Sequence, residues 1–162
     1  MISRIAKPSK ILEIGTFTGY SAICLAKGLQ PDGELHTIEL REDDAATARE
    51  NFNKAGVKEK IRLHIGNALE IIPTLNHEWD IVFIDADKVN YLAYYQAIIP
   101  KLKKGGLILA DNVLFHGQVL EEEIKTKNAK AIHAFNEYIL QDESVDKIML
   151  TLRDGLSLIL KK

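Results

Sequence analysis

The chain of 162 residues has one cysteine, Cys24, so no intramolecular disulfide can staple it. It has no excess of either charge: 21 Lys and Arg stand against 23 Asp and Glu, a formal charge of -2. That balance leaves no broad basic footprint for non-specific nucleic-acid binding. No apolar stretch is long enough to span a bilayer, and Met1 to Lys10 lacks the apolar run of a signal peptide. Together these absences point to a cytoplasmic, reducing setting with no membrane partner. What remains is ordinary globular material, 46% hydrophobic and 27% charged, and enough of it for one domain over residues 1–162. Cys24 lies in the apolar run Ala22-Ile23-Cys24-Leu25-Ala26, which predicts a small core residue rather than a reactive thiol.

Short apolar runs alternate with helical patterns along the whole length. Strands are predicted at Ile11–Ile14, Glu34–Glu39, Ile61–Ile65, Trp79–Asp85 and Gly106–Asp111. Helices are predicted between them at Tyr20–Leu29, Asp43–Ala55, Ala68–Leu75 and Tyr91–Ile99, and a last helix at Ala129–Leu140. Trp79-Asp80-Ile81-Val82-Phe83-Ile84-Asp85 is apolar through most of its length, as a parallel strand covered on both faces requires. Val145–Leu152 and Leu156–Leu160 flank Arg153-Asp154-Gly155, a hairpin signal. The fold class is therefore α/β, a doubly wound and mostly parallel sheet of seven strands ending in an antiparallel hairpin. Residues 116–127 read as a polar loop or frayed helix, and the charged stretch 121–130 as a solvated face.

In such folds ligands lie outside the carboxyl ends of the strands. The turn Glu13-Ile14-Gly15-Thr16-Phe17-Thr18-Gly19 follows the first strand, and glycine there lets the backbone turn tightly and approach a ligand. The spacing is Gly-x-x-x-Gly, not the Gly-x-Gly-x-x-Gly of dinucleotide sites. Glu13 would repel phosphates but could accept from a cationic amino group. Glu39 ends the second strand, where a carboxylate can hold both ribose hydroxyls. Gly66-Asn67-Ala68 ends the third, where an adenine edge could meet the backbone, although Asn67 is equally suited to cap a helix. Gly15 and Gly19 could also serve only strand-to-helix packing.

Asp85 and Asp111 end the fourth and fifth strands. On neighbouring strands their backbones lie about 4.8 Å apart, and two such carboxylates repel unless a cation intervenes. With the amide oxygen of Asn112 they form an all-oxygen set suited to Mg²⁺, with Ca²⁺ or Mn²⁺ as alternatives. The competing role is helix capping after each strand. Lys88 would sit at the same edge, either as a base for a bound hydroxyl or as an ordinary solvated lysine. His116 reads as a surface loop residue.

Glu13-Ile14-Gly15-Thr16-Phe17-Thr18-Gly19-Tyr20-Ser21, Phe83-Ile84-Asp85-Ala86-Asp87-Lys88 and Ala110-Asp111-Asn112-Val113-Leu114, in this order, closely resemble cation-dependent class I S-adenosylmethionine O-methyltransferases of the catechol and caffeoyl-CoA type. The resemblance runs to the closing Leu152-Arg153-Asp154-Gly155-Leu156. It implies a Rossmann-like methyltransferase fold. It also implies that Glu13, Gly15, Thr16 and Ser21 line the methionine part of the cofactor, with Asp85 near its amine. Glu39 would hold the ribose, and Ala68 would meet the adenine. Asp85, Asp111 and Asn112 would hold the metal, and Lys88 would be the catalytic base. Members of this family usually carry additional helices before the first strand, which help cover the site and often support a homodimer; here that strand begins about ten residues in.

The leading expectation is thus methyl transfer to a hydroxyl of a catechol-like or other vicinal dihydroxy small molecule. Alternatives are a tRNA hydroxyuridine O-methyltransferase, with Lys101, Lys103 and Lys104 as a local basic patch, and a cofactor-binding domain without activity. A nicotinamide-dependent oxidoreductase is opposed by the glycine spacing and the acidic strand ends.

Overall fold

A computed structural model describes all residues, Met1–Lys162. Seven strands form one sheet: β1 (Lys10–Ile14), β2 (Glu34–Glu39), β3 (Ile61–Ile65), β4 (Trp79–Ile84), β5 (Leu102–Asp111), β6 (Val145–Leu150) and β7 (Leu156–Lys161), in the order β3-β2-β1-β4-β5-β7-β6. The first five are parallel and β7 is antiparallel to both its neighbours. Ile11, Leu12 and Ile14 of β1 and Ile81, Val82 and Ile84 of β4 are buried, because central parallel strands are covered on both faces.

Helices α2 (Tyr20–Ala26) and α3 (Glu42–Lys54) cover one face, where Ala22, Ala26, Ala48 and Phe52 meet Ile11, Leu35 and Ile81. Helices α4 (Ala68–Ile71), α5 (Tyr91–Ile98) and α6 (Lys127–Gln141) cover the other, where Tyr91, Tyr95 and Phe135 pack over Val82 and Ile84. A short helix α1 (Ile2–Ala6), absent from the sequence reading, packs beside α2. The α6 stripe Ala129, Ile132, Phe135 and Ile139 is buried at helical spacing, and the Thr126 side chain caps it by accepting from the Ala129 N–H.

Register decides where the site lies. Ile14 is opposite both Ile38 and Ile84, and Ile84 is opposite Ala110. The next residue along each strand therefore falls on one line: Glu39, Gly15, Asp85 and Asp111. Glu39 is in turn opposite Ile65, which brings Gly66 to the same edge.

One expectation needs correction. Cys24 is exposed. Helix α2 buries only Ala22 and Ala26, four residues apart on one face, and Cys24 lies on the opposite face of that turn. Of the three lysines considered as a basic patch, Lys101 donates to the carbonyls of Ile72, Pro73 and Leu75, and Lys103 pairs with Asp80 at 2.6 Å. Lys101 immediately precedes β5 and Lys103 lies near its start, at the end away from the site.

Candidate active site

Two cavities open at the carboxyl edge. One, of about 560 Å³, is walled by Glu39, Arg41, Asn67, Ala68 and Asp87. The other, of about 590 Å³, is walled by Thr16, Tyr20, Ser21, Phe83, Leu109 and Asp111. Gly15, Phe17 and Asp85 belong to both walls, so the cavities meet at the turn after β1 and the end of β4. Either volume suits a small organic ligand.

Gly15 has φ +94°, and a Cβ there would lie 2.0 Å from the Asp85 carbonyl oxygen. A Cβ on Gly19 would strike the Phe52 ring. Both glycines are thus demanded first by the packing of the protein upon itself, which brings the β1 turn against the β4 end. The packing role weighed for them in the sequence is satisfied, and Gly15 also faces both cavities.

Glu39 stitches that turn to β2. Its Oε2 accepts from the N–H of Thr16 at 3.2 Å and of Phe17 at 2.7 Å, and its Oε1 from the N–H of Arg41 at 3.0 Å. Free lone pairs remain for a ligand hydroxyl. Asn67 caps α4 by accepting from the Leu69 N–H at 3.0 Å, and the largely buried Ala68 forms part of the wall opposite Gly15.

Glu13 lines neither cavity and is fully buried behind the turn. The Thr37 hydroxyl donates to its Oε2, and the Thr37 and Thr16 hydroxyls are themselves hydrogen-bonded. Its Oε1 is buried without a partner. Burial pushes the carboxyl up to about 7, against the lowering effect of the Ser21 and Thr37 hydroxyls. The orphaned oxygen behind an edge already bearing Glu39 and Asp85 favours a ligand with cationic and hydroxyl groups over a phosphate.

At the other end of the line, Lys88 Nζ lies 3.0 Å from Asp85 Oδ1 and 3.0 Å from Asn112 Oδ1. It also donates to the Tyr91 hydroxyl at 2.6 Å. That hydroxyl donates in turn to the Asp111 carbonyl at 2.9 Å. Asn112 takes φ +59°, a conformation that asparagine tolerates better than most residues, and its N–H donates to Asp111 Oδ1 at 2.8 Å. Burial raises the Asp111 carboxyl, and the Asp85 charge raises it further. The hairpin turn steadies this loop, since the Gly155 and Asp154 carbonyls accept from the N–H groups of Val113 and Leu114. His116 is exposed, as expected.

The structure therefore brings Gly15, Thr16, Ser21, Asp85, Asp111, Asn112 and Lys88 around one seam, with Glu39 and Ala68 at one side and Glu13 behind it. The sequence reading missed Tyr91. Its signal was the spacing Asp85-x-x-Lys88-x-x-Tyr91, which places Lys88 at the start of a 3-10 turn, Lys88–Asn90, that runs into α5 at Tyr91.

A metal site here requires oxygen donors gathered at one point, and Asp85 Oδ1 and Asn112 Oδ1 already share one cation, the Lys88 ammonium, at 3.0 Å each, with Asp111 next in sequence to Asn112. Burial, with a smaller contribution from the Asp85 charge, raises the Asp111 carboxyl, a cost that a bound cation would relieve. The donor set fits a hard divalent cation and not zinc.

Over its full length, residues 1–162, the chain matches the family model described as O-methyltransferase. It is 33% identical over 171 residues to a catechol O-methyltransferase of Niastella koreensis, covering 100% of this chain and 77% of that protein. A probable caffeoyl-CoA O-methyltransferase of Dictyostelium discoideum is 35% identical, with 99% and 73% covered. Among solved structures, the O-methyltransferase TomG of Streptomyces achromogenes, in complex with SAM, superposes with a TM-score of 0.92 at 33% identity, covering 99% of this chain and 76% of that one. An O-methyltransferase from Bacillus cereus in complex with SAH gives 0.94 at 31% identity, with 99% and 77% covered. Full-length agreement in sequence and fold, with the cofactor-type edge just described, removes the oxidoreductase alternative: the chain belongs to the O-methyltransferase family and is an S-adenosylmethionine-dependent enzyme of the Rossmann-like methyltransferase fold.

Proposed function

We propose that the chain transfers the methyl group of S-adenosylmethionine to one hydroxyl of a vicinal dihydroxy aromatic or similar small molecule, with a divalent cation, Mg²⁺ foremost, held by Asp85, Asp111 and Asn112. The observation that carries this is the position of Lys88 Nζ, 3.0 Å from both Asn112 and Asp85, the latter a residue that walls both cavities. The cavity bearing Glu39 and Ala68 suits the nucleoside of the cofactor. The neighbouring cavity suits the acceptor: Phe83 and Leu109 give it an apolar wall, and Asp85 and Asp111 give it a polar floor. Similarity to proteins named for catechol and caffeoyl-CoA supports the acceptor class.

When bound, the cation supplies Lewis-acid stabilisation of the ionised acceptor oxygen. The protein's own part is placement and proton handling. Lys88 Nζ, once released from Asp85 and Asn112 by the cation and having given its own proton to solvent, is the neutral amine positioned to take the acceptor hydroxyl proton, and Tyr91, itself tied to the Asp111 backbone, fixes that nitrogen. The acceptor oxygen then forms a bond to the methyl carbon as the carbon–sulfur bond breaks. S-adenosylhomocysteine leaves with the electron pair on sulfur, and the proton resides on Lys88. Phe17 and Tyr20 flank the opening and shield the acceptor ring from water. For the tRNA alternative, two of the three lysines considered, Lys101 and Lys103, already make contacts within the chain.

Transfer of labelled methyl to catechol, to its 1,3-dihydroxy isomer and to bulk tRNA, each with Mg²⁺ or with chelator, tests the proposal. Product from catechol with Mg²⁺ alone supports it. Cofactor binding without transfer to any vicinal diol would instead identify a binding module, and transfer to tRNA alone would move the acceptor class.

A further inference from the structure

We propose that Glu34, His36 and His77 form a second cation site, for a zinc-type ion, at the end of the sheet opposite the methyl-transfer seam. Glu34 and His36 are two residues apart at the start of β2 and so share a face. His77 lies just before β4. Glu34 Oε1 is 3.1 Å from His36 Nε2 and 3.8 Å from His77 Nε2, and the three donor atoms all lie within 4.8 Å of one another. Ligands on a tetrahedral zinc ion sit about 3.3 Å apart, given bond lengths near 2.0–2.2 Å, so small side-chain rotations suffice. Two imidazoles and a carboxylate are a zinc donor set with a fourth position for water. Mg²⁺ is disfavoured there, because it selects oxygen ligands.

An independent observation points to a ligand. His36 is only 6% exposed, and its Nε2 is buried with no properly aligned hydrogen-bond partner. Its other nitrogen, Nδ1, is 3.0 Å from His64 Nε2. A proton on Nδ1, donated to His64, leaves the Nε2 lone pair facing Glu34 and His77. This is the outer hydrogen bond that usually orients a ligating histidine. Trp79 stands edge-on to both His36 and His77, with ring centroids 5.4 Å away, and closes the inner side.

Glu34 already attracts cations: the Lys10 ammonium contacts the same Oε1, and Arg62 Nε lies 3.6 Å from Oε2. Zinc would displace the flexible Lys10 side chain. Glu34 and Glu39 are at opposite ends of one strand, about 17 Å apart at the usual rise, so this ion would tie the start of β2 to the segment entering β4 without entering the methyl-transfer seam. The site stands independently of the acceptor proposed above.

The test uses the full chain, stripped with chelator and titrated with Zn²⁺ against a chromogenic competitor, with zinc-edge anomalous diffraction on wild-type crystals. The expected result is one equivalent bound at micromolar Kd or tighter, an anomalous peak among the three residues, and a melting temperature raised by zinc. His77→Ala and Glu34→Gln should each weaken binding at least tenfold, whereas Asp111→Ala, His116→Ala and His133→Ala should leave it unchanged. Absence of stoichiometric binding, a peak elsewhere, or affinity that follows Asp111, His116 or His133 would overturn the assignment. The anomalous map decides the matter even if a variant fails to fold.

Discussion

Glu13→Gln should make the cofactor-free protein more stable above neutral pH while impairing cofactor binding. Glu13 is fully buried, one of its oxygens has no partner, and its carboxyl is raised from an ordinary 4.5 to about 7. A tenfold change in proton affinity is worth about 1.4 kcal/mol. Because the folded value exceeds the unfolded one, the folded chain binds the extra proton. The stabilisation is fully present below the unfolded value and is lost as pH rises through about 7. Between pH 5 and pH 8 wild type should therefore lose roughly 2–3 kcal/mol relative to Glu13→Gln. His36 and His64, whose proton affinities are lowered, act in the opposite direction, but they are common to both proteins and cancel in the difference. The assay is urea denaturation of both proteins across that range, with S-adenosylhomocysteine titrations at pH 8. Glu13 lines neither cavity, so its buried negative charge acts on the cofactor amine at a distance, and its removal should weaken S-adenosylhomocysteine severalfold. Parallel stability profiles for the two proteins would refute the account of Glu13.

Other variants separate the parts of the seam. Asp111→Ala should abolish metal-dependent transfer and leave S-adenosylhomocysteine affinity within about threefold, since Asp111 lies on the acceptor side; full activity of that variant in chelator-treated buffer would remove it from the metal set. Tyr91→Phe deletes the hydroxyl between Lys88 and the Asp111 carbonyl; kcat should fall roughly three- to tenfold, the worth of one net hydrogen bond, with cofactor affinity unmoved by calorimetry. Gly15→Ala would place a Cβ 2.0 Å from the Asp85 carbonyl at φ +94°, and should cost about 2–4 kcal/mol in urea denaturation while weakening cofactor and metal together.

Much of this site was legible because a parallel sheet turns sequence into position. Each acidic strand end follows a run of buried residues, and the shared register of Ile14, Ile38, Ile84 and Ala110 carries Glu39, Gly15, Asp85 and Asp111 to one edge. The strand boundaries agree closely for β2 and β3, whose apolar and polar limits are abrupt. They agree less well for β5, where Leu102 pairs with Trp79 ahead of a register shift that the Gly105-Gly106 pair obscures. Local pattern failed where tertiary packing decides. An apolar helix such as α2 can bury two alanines and leave Cys24 outside. A lysine in a basic run can be spent on carbonyls from a distant turn, as Lys101 is. Glu39 was expected to serve a ligand, yet it also closes the glycine turn through three backbone hydrogen bonds. The meeting of Glu34, His36 and His77 joins residues on either side of β3 and was invisible to spacing alone.

The most direct test of the central claim is anomalous diffraction from crystals of the chain grown with Mn²⁺ and S-adenosylhomocysteine. The account predicts a manganese peak among the side-chain oxygens of Asp85, Asp111 and Asn112, with Lys88 Nζ withdrawn from Asp85 and Asn112. Cofactor density with no such peak, and Lys88 still bonded to both residues, would contradict it.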